Sequence, residues 1–271
     1  MPHRARSATI GEAWLCFRSG SLADNWARLY NPEIPQVPNS AAAYQIVPEA
    51  LGSRATVPEL DLRNDVYRRP LQTALERLGL GPGWRCADIG AGGGDVTVAL
   101  ARLVGAQGRV YAVDIDPARR DEVAEAAAEV RGAQVVVITQ AAEDLVLPEE
   151  VDLAYCRFLL MHVLDPLAVL RRMASVTRRS GWLVAQEPVT TAGRVAGTAM
   201  SMPSARHPDV GALLPALVKA AGLQLVDSWA EAQAGAGPGP VARYLEDLSG
   251  ADPGDDPVVL PPLVTVLARR G

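Results

Sequence analysis

RCADIGAGGGDVTVALA, residues 85–101, carries three signals in order. A short apolar run (Cys86, Ala87, Ile89) leads into Gly90-Ala91-Gly92-Gly93-Gly94, and Val96, Val98, Ala99 and Leu100 follow. The pattern predicts a strand, a tight turn and a helix. Glycine lets the backbone take positive φ and lets a ligand approach closely, while the free N–H groups that open the next helix face that ligand. A nucleotide-like cofactor is expected in the turn. A glycine-rich stretch can also be a plain flexible connector, so the flanking chain has to decide between the two readings.

Outward from the turn, strands and helices alternate. Val66–Leu78 reads as a helix ended by Gly79. Arg109–Val113 reads as a second strand closed by Asp114, about 20 residues past the glycines, where α/β nucleotide folds hydrogen-bond ribose hydroxyls. The competing role for Asp114 is an exposed strand end or helix cap, and Asp116 before Pro117 suits the cap better. Pro117–Val130 is an alanine-rich helix, and Gln134–Thr139 is apolar through its middle, as a buried parallel strand should be. Val151–Tyr155 is a fourth strand, and Asp165–Glu187 holds a helix and a fifth strand expected to start at Arg179-Ser180-Gly181. Farther on, Asp209–Ala221 and Val241–Leu248 read as helices, Leu223–Trp229 and Leu263–Ala268 as strands, and residues 234–240 as a loop. This order implies an α/β, doubly wound, mostly parallel sheet with ligands at the carboxyl ends of the strands.

Spacing separates two cofactor classes. A dinucleotide GxGxxG would need glycine at position 95, which is Asp95; the observed pattern is Asp88-x-Gly90-x-Gly92-x-Gly94. That DxGxGxG resembles motif I of the class I S-adenosylmethionine-dependent methyltransferases. Further motifs follow in family order, so the resemblance covers about residues 66–187. Gln140-Ala141-Ala142-Glu143-Asp144 stands where the family has an Asp-Ala pair at the adenine, with Ala141 in the acid's place, and Cys156–Val163 stands at the family's motif after the fourth strand. The resemblance implies a seven-stranded Rossmann-like methyltransferase domain over residues 65–271, with an antiparallel hairpin at one edge. It implies S-adenosylmethionine as donor and S-adenosylhomocysteine as product. The cofactor residues it points to are Asp88, Gly90, Ala91, Gly92, Gly94, Asp114, Ile115, Ala142, Glu143, Cys156 and Arg157. Arg157 either meets a carboxylate of donor or acceptor or bridges to an acid.

Methyl transfer from a sulfonium is an in-line displacement that consumes positive charge, so the protein mainly orients the partners and excludes water. A base is needed only where the acceptor must lose a proton. His162 and Glu187 are the candidates; some natural-product relatives carry two histidines where this chain has Met161 and His162, and a packed structural histidine is the other reading of His162. The activity implied is methylation of a small, largely apolar secondary metabolite. Two other classes share the fold: an S-adenosylmethionine-binding cyclase that keeps the methyl group, and a catalytically silent binding subunit.

The 271 residues suffice for one sizeable core, and a net charge of −5 with pI near 5.3 argues against a nucleic-acid surface. No apolar run approaches the ~18 residues of a membrane helix, and no apolar stretch follows the charged N-terminus as a signal peptide requires. Cys16, Cys86 and Cys156 lack metal or CxxC spacing and read as reduced thiols of a cytoplasmic protein with no bound metal. Residues 1–64 differ from the rest. Trp14, Phe17, Trp26 and Tyr30 recur at roughly helical intervals, and Pro32, Pro35, Pro38 and Pro48 break any long helix. A cap of short helices is expected there, its rings either anchoring it or lining an acceptor pocket. The same segment is where a homodimer contact would form.

Overall fold

In β1 (Arg85–Ile89) every residue after Arg85 is buried, so both faces of the strand have to be covered. The structure, a computed structural model, describes residues 57–128, 132–200, 205–250 and 252–271. All of them fall in the unit Val47–Gly271. The expected cap lies outside the described residues up to position 56; from there helix α1 (Val57–Leu78) runs unbroken through the expected boundary at residue 64.

Around β1 stand β2 (Arg109–Asp114), β3 (Gln134–Thr139), β4 (Val151–Arg157), β5 (Thr177–Pro188), β8 (Leu223–Glu231) and β11 (Leu263–Arg270), in the order β3-β2-β1-β4-β5-β11-β8. The first five are parallel, and β11 runs antiparallel to both β5 and β8. This is the seven-stranded, doubly wound sheet with its antiparallel edge hairpin. Alternate residues take opposite faces. Ala87, Ile89, Tyr111, Val113 and Cys156 pack with α4 (Pro166–Val176) and α5 (Val210–Ala220) through Leu170, Met173 and Leu214. Cys86, Val110, Leu153 and Tyr155 pack with α1 and α2 (Asp95–Val104) through Leu71, Leu75, Val96 and Leu100. Between β2 and β3 runs α3 (Arg119–Ala128). The strand order reverses between β1 and β4, and a crevice at their carboxyl ends is where such sheets place ligands.

Three expectations need correction. β3, expected as a buried strand from its apolar run, stands at the sheet edge with its middle residues only half-buried and its ends exposed. β5 begins at Thr177, before the expected turn, but its pairing with β4 jumps from Val151↔Thr177 to Leu153↔Trp182, so residues 178–181 bulge out. Ser180 there has φ 58°, and a Cβ on Gly181 would lie 2.6 Å from Thr177 Cγ2. The expected loop at 234–240 contains β9 (Ala234–Gly235), which joins β10 (Val258–Val259), β6 (Arg194–Val195) and β7 (Thr198–Ala199) in a second sheet. Two-residue strands have no periodicity to read. Helix α6 (Pro240–Ser249) then follows.

A buried polar group ties α1 to the main sheet. Gln186 Nε2 donates to Pro70 O at 3.1 Å and to Thr265 Oγ1 at 2.9 Å, while its Oε1 accepts from Tyr155 Oη. On the other face, α5 closes on the end of β5 so tightly that a Cβ on Gly211 would lie 2.4 Å from Glu187 O and 2.7 Å from Pro188 O. Neither oxygen can swing aside, because both belong to the sheet backbone. Gly211→Ala is therefore expected to destabilise the fold by about 1–3 kcal/mol, read as a lower urea midpoint; an unchanged midpoint would contradict this packing.

Candidate functional site

The turn after β1 takes the conformation its glycines permit. Gly90, Gly92 and Gly94 have φ of 75°, 53° and 90°, all in the left-handed region. Gly90 N and Ala91 N donate to Val113 O at 2.8 and 3.0 Å, which locks the turn to β2. Space differs along it. A Cβ on Gly90 would stand 2.9 Å from Leu159 Cδ1, and one on Gly94 would stand 3.3 Å from Val123 Cα, so the chain crowds both. Gly92 has nothing within 4 Å of that point and opens on free space.

Asp114 is brought to this turn. Its Oδ2 accepts from Gly92 N at 2.8 Å and its Oδ1 from Asp116 N at 3.0 Å, so one half-exposed carboxylate organises both the turn and the bend after β2. Ile115 beside it is 51% exposed, a large apolar side chain on the rim. Asp88 sits beneath. It is buried, and Thr97 Oγ1 donates to its Oδ2 at 2.6 Å. Burial pushes its pKa up to about 7 against the opposing pull of the Thr97 bond.

The third expected contact is arranged differently. Ala142 opens a short 3₁₀ turn (Ala142–Asp144) and is buried. Gln140 turns its side chain back on the chain, donating to Asp144 O at 2.8 Å and accepting from Val146 N at 3.1 Å. Glu143 reaches the other way, its Oε1 accepting from Leu164 N at 3.3 Å.

Cys156 is buried near the end of β4 in the core, and burial pushes its thiol up, so it stays neutral. The next residue matters more. Arg157 and Asp95, the first residue of α2, form an ion pair through Nη2 and Oδ2 with side chains only 4% and 5% exposed. Arg157 Nη1 is buried with no hydrogen-bond partner among the described residues. An unpaired buried donor of this kind costs about 1–3 kcal/mol, more when charged. Phe158 follows with φ 55°, a conformation non-glycine residues rarely take. Its ring packs edge-on against Tyr67 at 4.9 Å, and Tyr67 packs edge-on against Tyr244 of α6 at 5.4 Å.

Glu187 is placed unlike a base that meets an acceptor. It is fully buried, and its Oε1 accepts from Leu159 N and Leu160 N at 2.8 and 2.7 Å while Oε2 accepts from Met161 N at 3.3 Å. The carboxylate thus anchors the segment after β4. His162, half-buried in that segment, donates its backbone N–H to Leu159 O at 2.9 Å. His207 meets the same segment: its backbone N–H donates to Met161 O at 3.0 Å, and its Nε2 lies 3.1 Å from Val163 O. Asp95, Leu159 and His207 were invisible as candidates because each acts through partners 28 or more positions away.

Comparison with known proteins bears on this arrangement. A family profile described as a methyltransferase domain matches residues 87–185. A ubiquinone biosynthesis O-methyltransferase of Xanthomonas euvesicatoria is 34% identical over 177 residues, 60% of this chain and 71% of that protein. The enzyme of the same name from Xanthomonas campestris is 40% identical over 104 residues, 38% of this chain, and the match spans 42% of that relative's length. Among solved structures, a SAM-dependent methyltransferase from Aquifex aeolicus superposes with a TM-score of 0.56 at 17% identity, covering 77% of this chain and 93% of the other.

Burial pushes the Glu187 carboxyl up to about 8, with the three backbone N–H bonds pulling the other way. A folded-state pKa above the unfolded one means that its stabilising share is complete below about 4.5, the ordinary glutamate value, and is lost as pH rises through about 8. Asp88 acts in the same sense up to about 7. Stability is expected to fall between pH 5 and 8 by at most about 1.4 kcal/mol per pH unit per group, and Glu187→Gln is expected to flatten that fall. Urea titrations across this range with equal slopes for both proteins would contradict it.

Proposed function

We propose, because this chain belongs to the class I S-adenosylmethionine-dependent methyltransferases, that it transfers a methyl group to a hydroxyl of a small aromatic acceptor of quinone type. The observation that carries the donor side is the Gly92 opening, where backbone free of any Cβ stands hydrogen-bonded to the Asp114 carboxylate. These residues fit the donor. Asp114 would accept from ribose hydroxyls, Ile115 has exposed apolar surface that would meet a base, and the positive-φ glycines at Gly90–Gly94 would permit close approach. Ala142 would border the base through its backbone, and Asp88 would support the turn from below without touching the ligand.

When bound, S-adenosylmethionine supplies an electrophilic methyl group on a sulfonium. The chain's own contribution is orientation and exclusion of water. Tyr67, Phe158 and Tyr244, packed ring against ring beside the carboxyl end of β4, provide an apolar aromatic wall suited to a planar acceptor. Glu187 holds the 159–161 backbone and leaves the acceptor's proton to other groups. His162 is the candidate of the expected pair that can still orient the acceptor. Relatives named for ubiquinone biosynthesis favour a quinone-type ring over the wider natural-product class expected from the sequence, and favour transfer over the two non-transferring readings.

Two measurements test this. Turnover with candidate catechols and hydroquinones is expected to release S-adenosylhomocysteine together with a methyl ether. Asp114→Ala is expected to weaken donor binding by about one to two orders of magnitude, as loss of a hydrogen bond to a charged group worth roughly 1.5–3 kcal/mol requires; calorimetry giving an unchanged affinity would remove Asp114 from the donor site.

A further inference from the structure

We propose that Arg157 is an oxyanion subsite for the acceptor, its unpartnered Nη1 donating to an acceptor phenol oxygen so that the oxygen meets the methyl group ionised and no protein base is required. This rests on the methyl-transfer reading above. The guanidinium is committed on one side only, Nη2 to Asp95, while Nη1 lies shut away from water with no acceptor among the described residues. A charge-assisted N–H in such a place has its strongest interaction with an anionic oxygen. The position is also right. Arg157 ends β4 at the switch point of the sheet, and its partner Asp95 directly follows the glycine turn.

The walls agree with a phenolic ligand. The guanidinium lies 5.8 Å from the Phe158 ring centroid, and Phe158 contacts Tyr67, which contacts Tyr244. Tyr67 and Tyr244 hydrogen-bond through their own side chains, and burial first, then Tyr244, keeps the Tyr67 hydroxyl well above its ordinary range. The charged and titratable groups facing Arg157 are Asp95 of α2, Asp88 of β1, Tyr155 of β4, Tyr244 of α6 and Tyr67 of α1. Asp95 is paired and Asp88 is held by Thr97, which leaves the Nη1 side without an anion of its own. In the step itself the acceptor hydroxyl releases its proton to solvent on binding. A lone pair of that oxygen then forms the O–C bond as the C–S bond breaks, its electron pair returning to sulfur. A neutral methyl ether and neutral thioether result.

The test uses the full chain saturated with S-adenosylhomocysteine and 4-nitrocatechol as the probe, whose ionisation is read in its visible spectrum. The bound probe is expected to ionise about one pH unit or more below the free probe, as an opposite charge at contact produces. Arg157→Gln is expected to abolish that shift while changing S-adenosylhomocysteine affinity less than about threefold. Should that variant unfold because Asp95 is stranded, Asp95→Asn/Arg157→Gln, which buries no unpaired charge, is read in its place with the same expectation. Persistence of the shift without Arg157 overturns the subsite. Loss of S-adenosylhomocysteine binding by about tenfold or more with the probe's ionisation intact assigns Arg157 to the donor carboxylate and also overturns it. Wild-type protein that binds S-adenosylhomocysteine but not the probe defeats the phenol assignment and leaves the donor reading standing. Wild-type protein that binds neither defeats the donor reading itself.

Discussion

A carboxyl group with no access to water holds the chain leaving β4 in place. Glu187 accepts three consecutive backbone N–H groups from Leu159, Leu160 and Met161, so the chain leaving β4 cannot choose its own course. Leu159 is thereby pressed against Gly90, where an added Cβ would stand 2.9 Å from its Cδ1. Phe158, one residue earlier, is turned into a left-handed conformation that sets its ring against Tyr67. One buried group thus shapes the glycine turn on one side and the packed rings of Phe158, Tyr67 and Tyr244 on the other. Such a group is costly to place in an apolar interior, and satisfied hydrogen bonds on both oxygens are what make it tolerable.

The same economy of polar groups recurs along the switch point. Asp88 is bonded to Thr97 and fixes the start of α2 over β1. Gln186, one residue before Glu187, points to the opposite face and bonds Tyr155, Thr265 and the Pro70 carbonyl, which ties α1 and its Tyr67 to the sheet. Adjacent residues of one strand therefore govern opposite layers, as the two-residue period of a strand demands. Arg157 departs from this rule of complete satisfaction. A buried charge paired on one side and unpaired on the other is a poor stability device, because removing a guanidinium from water costs more than one ion pair returns. Its retention makes sense where a ligand completes it.

Much of the fold was legible in the chain itself. The strand-glycine-helix reading of residues 85–101, the apolar run at 135–138 as a strand and the acid closing the second strand all depend on neighbours within a few residues, and the structure adds the bond from Gly92 N to the Asp114 carboxylate. Local chemistry speaks through periodicity and turn preference, and a parallel sheet follows once strands and helices alternate. The bulge at 178–181 and the two-residue strands of the second sheet escaped because elements so short exist only by pairing with distant backbone.

The sequence by itself determined the doubly wound architecture, the glycine turn and the acid that closes the second strand, since each is written in contiguous residue types. Only the tertiary structure decided what the polar residues do. Glu187 reads as a strand-end acid open to chemistry, and becomes a buried anchor because the segment beginning 28 positions earlier folds over it. Arg157 reads as an arginine with several uses, and acquires a half-satisfied buried guanidinium because Asp95, 62 positions away, meets only one of its nitrogens. Burial and partnership are properties of position in space, and a side chain's charge, reach and availability to a ligand follow from them.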